Sequence, residues 1–224
     1  MKKIFTFLAF ALMTITYAQA QNAPSPWTIG LAAGPAFPTG SFANKNPSYE
    51  TYGSATTGIG ADLTAGYRLC NHFGLVALAG LQVNSRDLSK FAALFPQNGS
   101  TPGYLAARWG IYRLLVGGDY TRPLSKHGGP TLQIRLLAGA LKTKVPASSI
   151  YSDPIQNTLA QSMAWTFSYQ ADAGLKFKLA RKLSLVTTAG YAAGNPVHKF
   201  ANADGQQRFH TGTVEVRTGL EWRI

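Results

Sequence analysis

Acidic residues and cysteine are both scarce in this chain. Nine Asp and Glu stand against 21 Lys and Arg among 224 residues, a formal net charge of +12, and this basic balance favours polyanionic neighbours such as lipopolysaccharide or nucleic acid. Cys70 is the only cysteine, so an intrachain disulfide and a metal site with several thiolates are excluded. We expect Cys70 to be a small apolar residue at a strand end rather than a reactive thiol.

Long apolar runs are missing after the N-terminus. No run of 18 apolar residues follows residue 20, which argues against a helical membrane protein. Lys2, Lys3, the apolar run 4–13 and Ala18-Gln19-Ala20 form the pattern of a cleaved signal peptide. We therefore expect residues 1–20 to be removed on export and residues 21–224 to form one domain, because no charge run or low-complexity stretch marks a second boundary.

Alternating apolar and polar residues are what the exported part has instead. Such alternation, bounded by Gly, Pro, Asn or Ser, predicts strands. Eight segments show it, at 27–35, 57–70, 73–84, 108–121, 131–144, 164–179, 183–194 and 212–224. Short connections (71–72, 122–130, 180–182) alternate with long ones (36–56, 85–107, 145–163, 195–211). Short periplasmic turns and long extracellular loops are typical of outer-membrane barrels with an even number of strands.

The two faces of these strands indicate which side meets lipid. The polar face carries both signs of charge, at Asp62, Arg68, Arg113, Asp119, Arg135, Asp172, Lys176, Glu215, Arg217, Glu221 and Arg223. Glycine recurs on that face, at Gly66, Gly80, Gly117, Gly139, Gly174, Gly190 and Gly219. Paired charges in a narrow lumen explain the first pattern. Gaps for long side chains explain the second, and strand bends are the alternative.

Aromatic residues on the apolar face fall at two levels. Those near the short turns are Trp27, Tyr67, Phe73, Tyr120, Phe177 and Trp222, and those near the long loops are Tyr112, Trp165, Phe167, Tyr169 and Tyr191. Smaller apolar residues lie between them, and we place Leu175 near the middle. Tyr and Trp prefer the boundary between membrane and water, so the pattern predicts lipid outside and a polar interior.

The segments 64–68, 172–177, 188–191 and 218–224, with the Ala-Gln-Ala-Gln junction, resemble the small eight-stranded outer-membrane β-barrel proteins. The resemblance spans essentially the whole exported chain. It implies an all-β protein that forms a closed, antiparallel, up-and-down transmembrane barrel in the cell outer membrane. Its partners would be outer-membrane lipids, lipopolysaccharide and the barrel-insertion machinery, and it would be a monomer that binds no nucleic acid. Members commonly end in Phe, whereas this chain ends in Trp222-Arg223-Ile224.

Histidine and serine are the candidates for chemistry. Some eight-stranded barrels modify lipid A with a His and a Ser, and such a pair needs an orienting acid. His72 and His127 fall in short turns, whereas His198 and His210 share the last long loop with Asp204. A serine would have to come from another loop, and the candidates are Ser41, Ser89, Ser100 and Ser162. No two histidines have metal-ligand spacing. We therefore predict no catalytic, cofactor-binding or metal residues, and no cofactor.

The long loops are the expected place for binding, because loops on a rigid scaffold usually carry it. Leu88, Phe91, Ala92 and Phe95 have helical spacing, and Asp153-Pro154 resembles a helix start leading through Ile155 and Leu159. Basic residues near the outer rim could bind lipopolysaccharide phosphates or be merely solvated. They are Lys45, Lys90, Arg108, Lys142, Lys144, Lys199 and Arg208.

These observations favour a non-enzymatic outer-membrane barrel with an envelope-structural or surface-interaction role through its long extracellular loops. An eight-stranded interior is just wide enough for side chains, which disfavours a general pore. Two other classes stay open: a lipid A-modifying outer-membrane enzyme, and a secreted lipocalin-like binding barrel with its apolar residues inside.

Overall fold

Eight of the strands form the wall of a closed barrel in the computed structural model. The structure describes residues 25–46, 53–92, 103–106, 108–125, 129–152, 155–159, 161–199 and 206–224. The predicted signal peptide, 1–20, lies outside them. In chain order the wall strands are β1 (Trp27–Thr39), β2 (Ala55–Arg68), β3 (Phe73–Arg86), β5 (Trp109–Pro123), β6 (Thr131–Val145), β9 (Ser162–Lys178), β10 (Leu183–Gly194) and β13 (Thr211–Arg223).

The remaining elements are short and lie in the long connections. The strands are β4 (Gly103–Ala106), β7 (Ser148–Ser152), β8 (Ile155–Leu159), β11 (Val197–Lys199) and β12 (Gln206–Arg208), and the helices are α1 (Gly40–Ala43) and α2 (Ser89–Ala92). No helix among the described residues is long and apolar enough to cross a membrane. The protein is therefore nearly all-β, as its alternating sequence predicts.

Each wall strand pairs antiparallel with the next wall strand in the chain, and β13 returns to pair with β1. Leu31 of β1, for example, lies opposite Leu63 of β2 on one side and Leu220 of β13 on the other. Closure leaves the wall without an unpaired edge strand. The predicted fold class, a closed, antiparallel, eight-stranded up-and-down barrel, is confirmed.

One break in the wall follows from proline. Pro35 has no N–H to donate, and the pairing of β1 with β13 is interrupted between Ala33 and Ala36. The Arg217 guanidinium, which points into the lumen, donates there from Nη1 to the carbonyls of Gly34 (3.0 Å) and Pro35 (2.9 Å). This replacement lets β1 continue to Thr39, beyond the predicted end at residue 35.

The two ends of the barrel differ in size. The turn end carries connections 69–72, 124–130 and 179–182, with the start of β1 and the end of β13. The loop end carries connections 40–54, 87–108, 146–161 and 195–210. There β4, β7 and β8 form a three-stranded sheet, and β11 pairs with β12.

The helix predicted from Asp153-Pro154 through Leu159 is wrong. Residues 155–159 are strand β8, which pairs antiparallel with β7 from Ile155 opposite Ser152 to Leu159 opposite Ser148. Asp153 and Pro154 themselves lie outside the described residues. Ile and Thr favour extended backbone, and β7 offers a pairing partner that a local helix pattern does not reveal. The other predicted helix is confirmed in part as α2, with Phe95 outside the described residues.

Candidate functional site: the lumen, the outer face and the loop end

The outer face of the wall is apolar from one end to the other. Outward residues of the wall strands alternate with buried ones, and Leu31, Leu114, Val116, Leu136 and Phe167 are each more than 60% exposed to the surroundings. Soluble proteins rarely expose apolar patches beyond a few hundred Å². An all-round band of this kind is a surface for hydrocarbon, so the barrel is a transmembrane one.

Aromatic side chains border this band, as predicted. At the turn end Trp27 stacks edge-on against Tyr67 with 4.8 Å between ring centroids, and Phe73 lies 5.2 Å from Tyr120. At the loop end Tyr112 and Trp165 are exposed on either side of β6. Rings with polar tips suit the two membrane boundaries.

The middle of the lumen holds four charges, the central quartet: Asp62, Arg113, Glu215 and Arg217. Arg113 donates to both oxygens of Glu215, at 2.5 and 3.0 Å. Arg217 lies 3.1 Å from Glu215 and 3.3 Å from Asp62, which is also 3.6 Å from Arg113. The four side chains are at most 4% exposed. Two cations and two anions cancel, which is the condition under which buried charges are tolerated.

Further polar pairs line the lumen towards the turn end. Arg135 Nη2 lies 3.1 Å from Asp172 Oδ2, and Gln133 donates to Asp119 at 2.8 Å. Lys176 pairs with Glu221. Most of the charges predicted to face inward are thus paired there, whereas Arg223 is exposed at the last position of β13.

An apolar cluster closes the loop end, and we call it the loop-end plug: Phe42, Ala55, Trp109, Ile111, Leu141, Val145 and Phe209. Trp109 is fully buried, its ring edge-on to Phe42 at 5.2 Å and to Phe209 at 5.6 Å. Its indole Nε1 donates to the Gly53 carbonyl at 3.0 Å. Sequence reasoning missed the plug, although Trp109 shares the inward alternation of Arg113 and could have been found from it.

The inward glycines have two different causes. At Gly80 a Cβ would meet Oδ1 of Asp62 and Nε of Arg113, which fits the prediction of gaps for charged side chains. At Gly117 a Cβ would overlap the Leu136 carbonyl oxygen, and at Gly139 the Leu114 carbonyl oxygen. There the backbone of the adjacent strand approaches too closely for a side chain.

The structure brings one predicted His and Ser together, His198 and Ser162. Their Nδ1 and Oγ lie 3.2 Å apart, while Nε2 of His198 faces the Thr143 hydroxyl at 2.8 Å. The Ser162 hydroxyl donates to the Lys199 carbonyl at 2.8 Å. His198 is fully buried and edge-on to Phe209, and burial lowers its pKa to about 4. These contacts tie β11 to the wall. In a catalytic triad the serine lies on Nε2 and the acid on Nδ1, whereas here Ser162 lies on Nδ1 and Thr143 on Nε2.

The other candidates stay apart. His210 hydrogen-bonds Asn195 at 2.8 Å and Tyr191 at 3.3 Å, and the Ser41 hydroxyl donates to its backbone carbonyl. Ser89 lies in α2. His127, Ser100 and Asp204 lie outside the described residues. Within the described part of the chain, no group of three His, Cys, Asp or Glu could hold a metal ion.

Both residues of interest in the turn 69–72 are exposed. Cys70 is an exposed free thiol two residues beyond the end of β2, and backbone hydrogen bonds from His72 and Phe73 lower its pKa. The His72 ring lies 6.1 Å from that of Tyr120. Neither arrangement brings a second reactive group to the turn.

Comparisons with known proteins find similarity to solved structures only at low sequence identity. No protein-family model and no curated protein matches the chain. Among solved structures, a major outer membrane protein from Thermus thermophilus is 13% identical, with 88% of this chain and 99% of that one covered and a TM-score of 0.45. Ail of Yersinia pestis is 13% identical (88% and 99%, TM-score 0.43) and Neisserial surface protein A is 12% identical (91% and 100%, TM-score 0.42).

Proposed function

We propose that the protein is a non-enzymatic integral β-barrel of the bacterial outer membrane, with an envelope-structural or surface-interaction role through its loop end. One observation carries the proposal: the same strands present an apolar band outward and a neutralised charge network inward. A signal peptide at 1–20 would supply export. The turn end would face the periplasm and the loop end the exterior, in line with other bacterial barrels.

The lumen argues against a diffusion pore and a lipocalin-like carrier. Its central quartet is buried, and the loop-end plug closes the barrel above it. A carrier of apolar ligands needs an apolar cavity, whereas this interior is crossed by the Arg113–Glu215 ion pair and lined by the Arg135–Asp172 ion pair. The role therefore belongs to the outside of the protein: lipids and lipopolysaccharide around the wall, and an extracellular partner at the loop end. We expect a monomer that is folded by the barrel-insertion machinery.

The buried His198–Ser162 pair speaks against a lipid A-modifying enzyme. A nucleophilic serine must reach its substrate, but Ser162 is 6% exposed and its hydroxyl is engaged with Lys199. Mass spectra of lipid A from cells with and without the protein test this point. We expect identical acyl patterns, and an altered pattern that disappears in Ser162→Ala would overturn the non-enzymatic proposal.

Fractionation and gel mobility test the membrane assignment. We expect the full chain to be recovered with outer membranes and to migrate differently before and after heating in detergent. Recovery as a soluble periplasmic or secreted protein would contradict the proposal.

Bilayer recordings test the closed lumen. We expect no large, stable conductance from the wild type. The variant Arg113→Ala/Glu215→Ala is the control, because it removes a cation and an anion together and leaves Arg217 paired with Asp62. Trp109→Ala is added to it, because the loop-end plug would otherwise stay in place. The combined variant should conduct more than the wild type and so show that the recording detects an opened barrel. Large wild-type currents would refute the closed lumen.

A further inference from the structure

The outer face of the wall carries almost no charge, and its charges are not scattered. On outward positions of the eight wall strands there are three cations, Arg122, Lys142 and Lys144, and no acid. Every acid in the wall strands lies on the lumen face instead. Arg122 stands alone at the turn end of β5, whereas Lys142 and Lys144 are successive outward positions at the loop end of β6.

Aromatic and cationic neighbours surround the two lysines. Lys142 lies opposite Tyr112 on β5 and Trp165 on β9, with its Nζ 5.4 Å from the Trp165 ring centroid. Lys144 lies opposite Gly110, which has no side chain to cover it. Arg108, two residues before Gly110, is exposed. We call these residues the rim cluster: Arg108, Tyr112, Lys142, Lys144 and Trp165.

A charge on the outer face costs free energy in hydrocarbon, and the cost falls towards the membrane boundary. The two lysines sit where that cost is small, at the level of the aromatic border. Successive outward residues on a strand are about 7 Å apart, so two ammonium groups can reach one headgroup. Lysine and arginine bind phosphate oxygens through charge-assisted hydrogen bonds. None of the described residues provides an acid partner for either lysine.

We propose that the rim cluster is a binding site for the phosphates of a phosphorylated glycolipid in the outward leaflet, the lipid A part of lipopolysaccharide. Lys142 and Lys144 hold the phosphate oxygens, Arg108 adds charge at the loop side, and Trp165 and Tyr112 lie against the headgroup at the membrane boundary. This site rests on the proposed function, because only an outer-membrane barrel with its loop end outward places the rim cluster in that leaflet.

Lipid titration in zwitterionic detergent, read by native mass spectrometry, tests the site. Bisphosphorylated lipid A is the probe, and dephosphorylated lipid A and phosphatidylglycerol are the comparison lipids. We expect Lys142→Gln/Lys144→Gln to weaken binding of lipid A by about 30-fold. Each lysine near an anionic membrane surface raises the affinity about five-fold, and the two factors multiply. Lys142→Arg/Lys144→Arg should stay within a few-fold of the wild type.

The matched control removes two cations from the turn end, Arg122→Gln/Arg181→Gln, and should leave lipid A binding unchanged. Equal binding by the wild type and the Lys142→Gln/Lys144→Gln variant would overturn the site, as would an equal loss in the control. Binding of phosphatidylglycerol or dephosphorylated lipid A as tight as that of lipid A would overturn the choice of ligand. All variants are first checked for heat-dependent gel mobility. A wild type that does not fold into bilayers counts against the proposed function itself, whereas a wild type that folds but binds without the lysines refutes only the site.

Discussion

The inner and outer faces of the wall are made by the same strands but follow opposite rules. On β13, Glu215 and Arg217 are buried in the lumen while Val214 and Val216 beside them face outward. Inside, a charge is tolerated because a partner of opposite sign lies within hydrogen-bonding distance. Outside, the hydrocarbon of the membrane offers no partner, so charge is confined to the ends of the strands. The difference shows that polarity in this protein is decided by available partners rather than by distance from water.

The largest effect should come from leaving the inner face with unpaired charge. Glu215→Ala removes the closer of the two acidic partners of Arg113 and one of the two of Arg217, which leaves Asp62 to face both arginines. We expect a loss of about 3–5 kcal/mol in the free energy of unfolding, measured by urea titration in lipid vesicles. Val216→Ala, the outward neighbour, is the control and should cost far less. Equal losses in the two variants would contradict the importance of pairing.

A charge placed on the outer face should have the next largest effect. Val116 lies midway along β5 between Tyr112 and Tyr120 and is 65% exposed. Val116→Arg should cost about 2–4 kcal/mol of folding free energy in vesicles. Leu175→Arg provides the depth control, with an expected cost of about 0–1 kcal/mol near the boundary, because Leu175 is one outward position from Phe177 rather than near the middle. Equal costs for Val116→Arg and Leu175→Arg would show that the apolar band is not centred near Val116.

Two neighbouring glycines of β5, one facing the lumen and one facing outward, allow the inner and outer faces to be compared at the same level of the wall. A Cβ at inward Gly117 would overlap the backbone of Leu136 and Leu137, whereas no atom lies within 4 Å of a Cβ at outward Gly118. Gly117→Ala should lower the unfolding free energy by about 1–3 kcal/mol. Gly118→Ala should be neutral within error. Similar results for the two variants would mean that the close strand approach does not limit the inner face.

The smallest effect should be local, because it comes from protonation of one buried histidine at the loop end. Burial holds the pKa of folded His198 at about 4, against an ordinary value of 6.5. Between these two pKa values the unfolded state binds a proton at His198 more strongly than the folded state does. The stability of the folded loop end is therefore complete above pH 6.5 and falls as the pH drops towards 4. The protection factors of the β11 amides, which correct for the intrinsic pH dependence of exchange, should fall as the pH is lowered through that window in the wild type. His198→Gln should remove this pH dependence. If the pH dependence persists in the variant, a group other than His198 causes it.

Much of this fold is predictable because its signals are local. Alternation along β9 and β13 separates the inward charges Asp172 and Glu215 from the outward Phe167 and Trp222, and the structure confirms both faces. The helix prediction for the residues of β8 is wrong because the deciding signal there is not local. These residues satisfy a local helix pattern, but β7 supplies backbone partners that no local pattern contains.

The candidate sites were predictable only in part. Lys142 and Lys144 follow from alternation and from their place near a loop. His198 meeting Ser162 and Thr143 does not, because those residues come from different connections and strands. The loop-end plug is intermediate, since Trp109 has inward alternation but Phe42 and Phe209 belong to loops in which no strand alternation applies.

The sequence by itself determined that eight alternating strands would close into a barrel with a polar inside, because side-chain alternation is a property of each strand alone. Only the tertiary structure decided which charges meet. Arg113 and Glu215 are 102 residues apart in the chain and come together at 2.5 Å because closure of the wall sets strands opposite one another across the lumen. Partners of this kind depend on the register and curvature of the whole barrel, and no single segment of sequence contains that information.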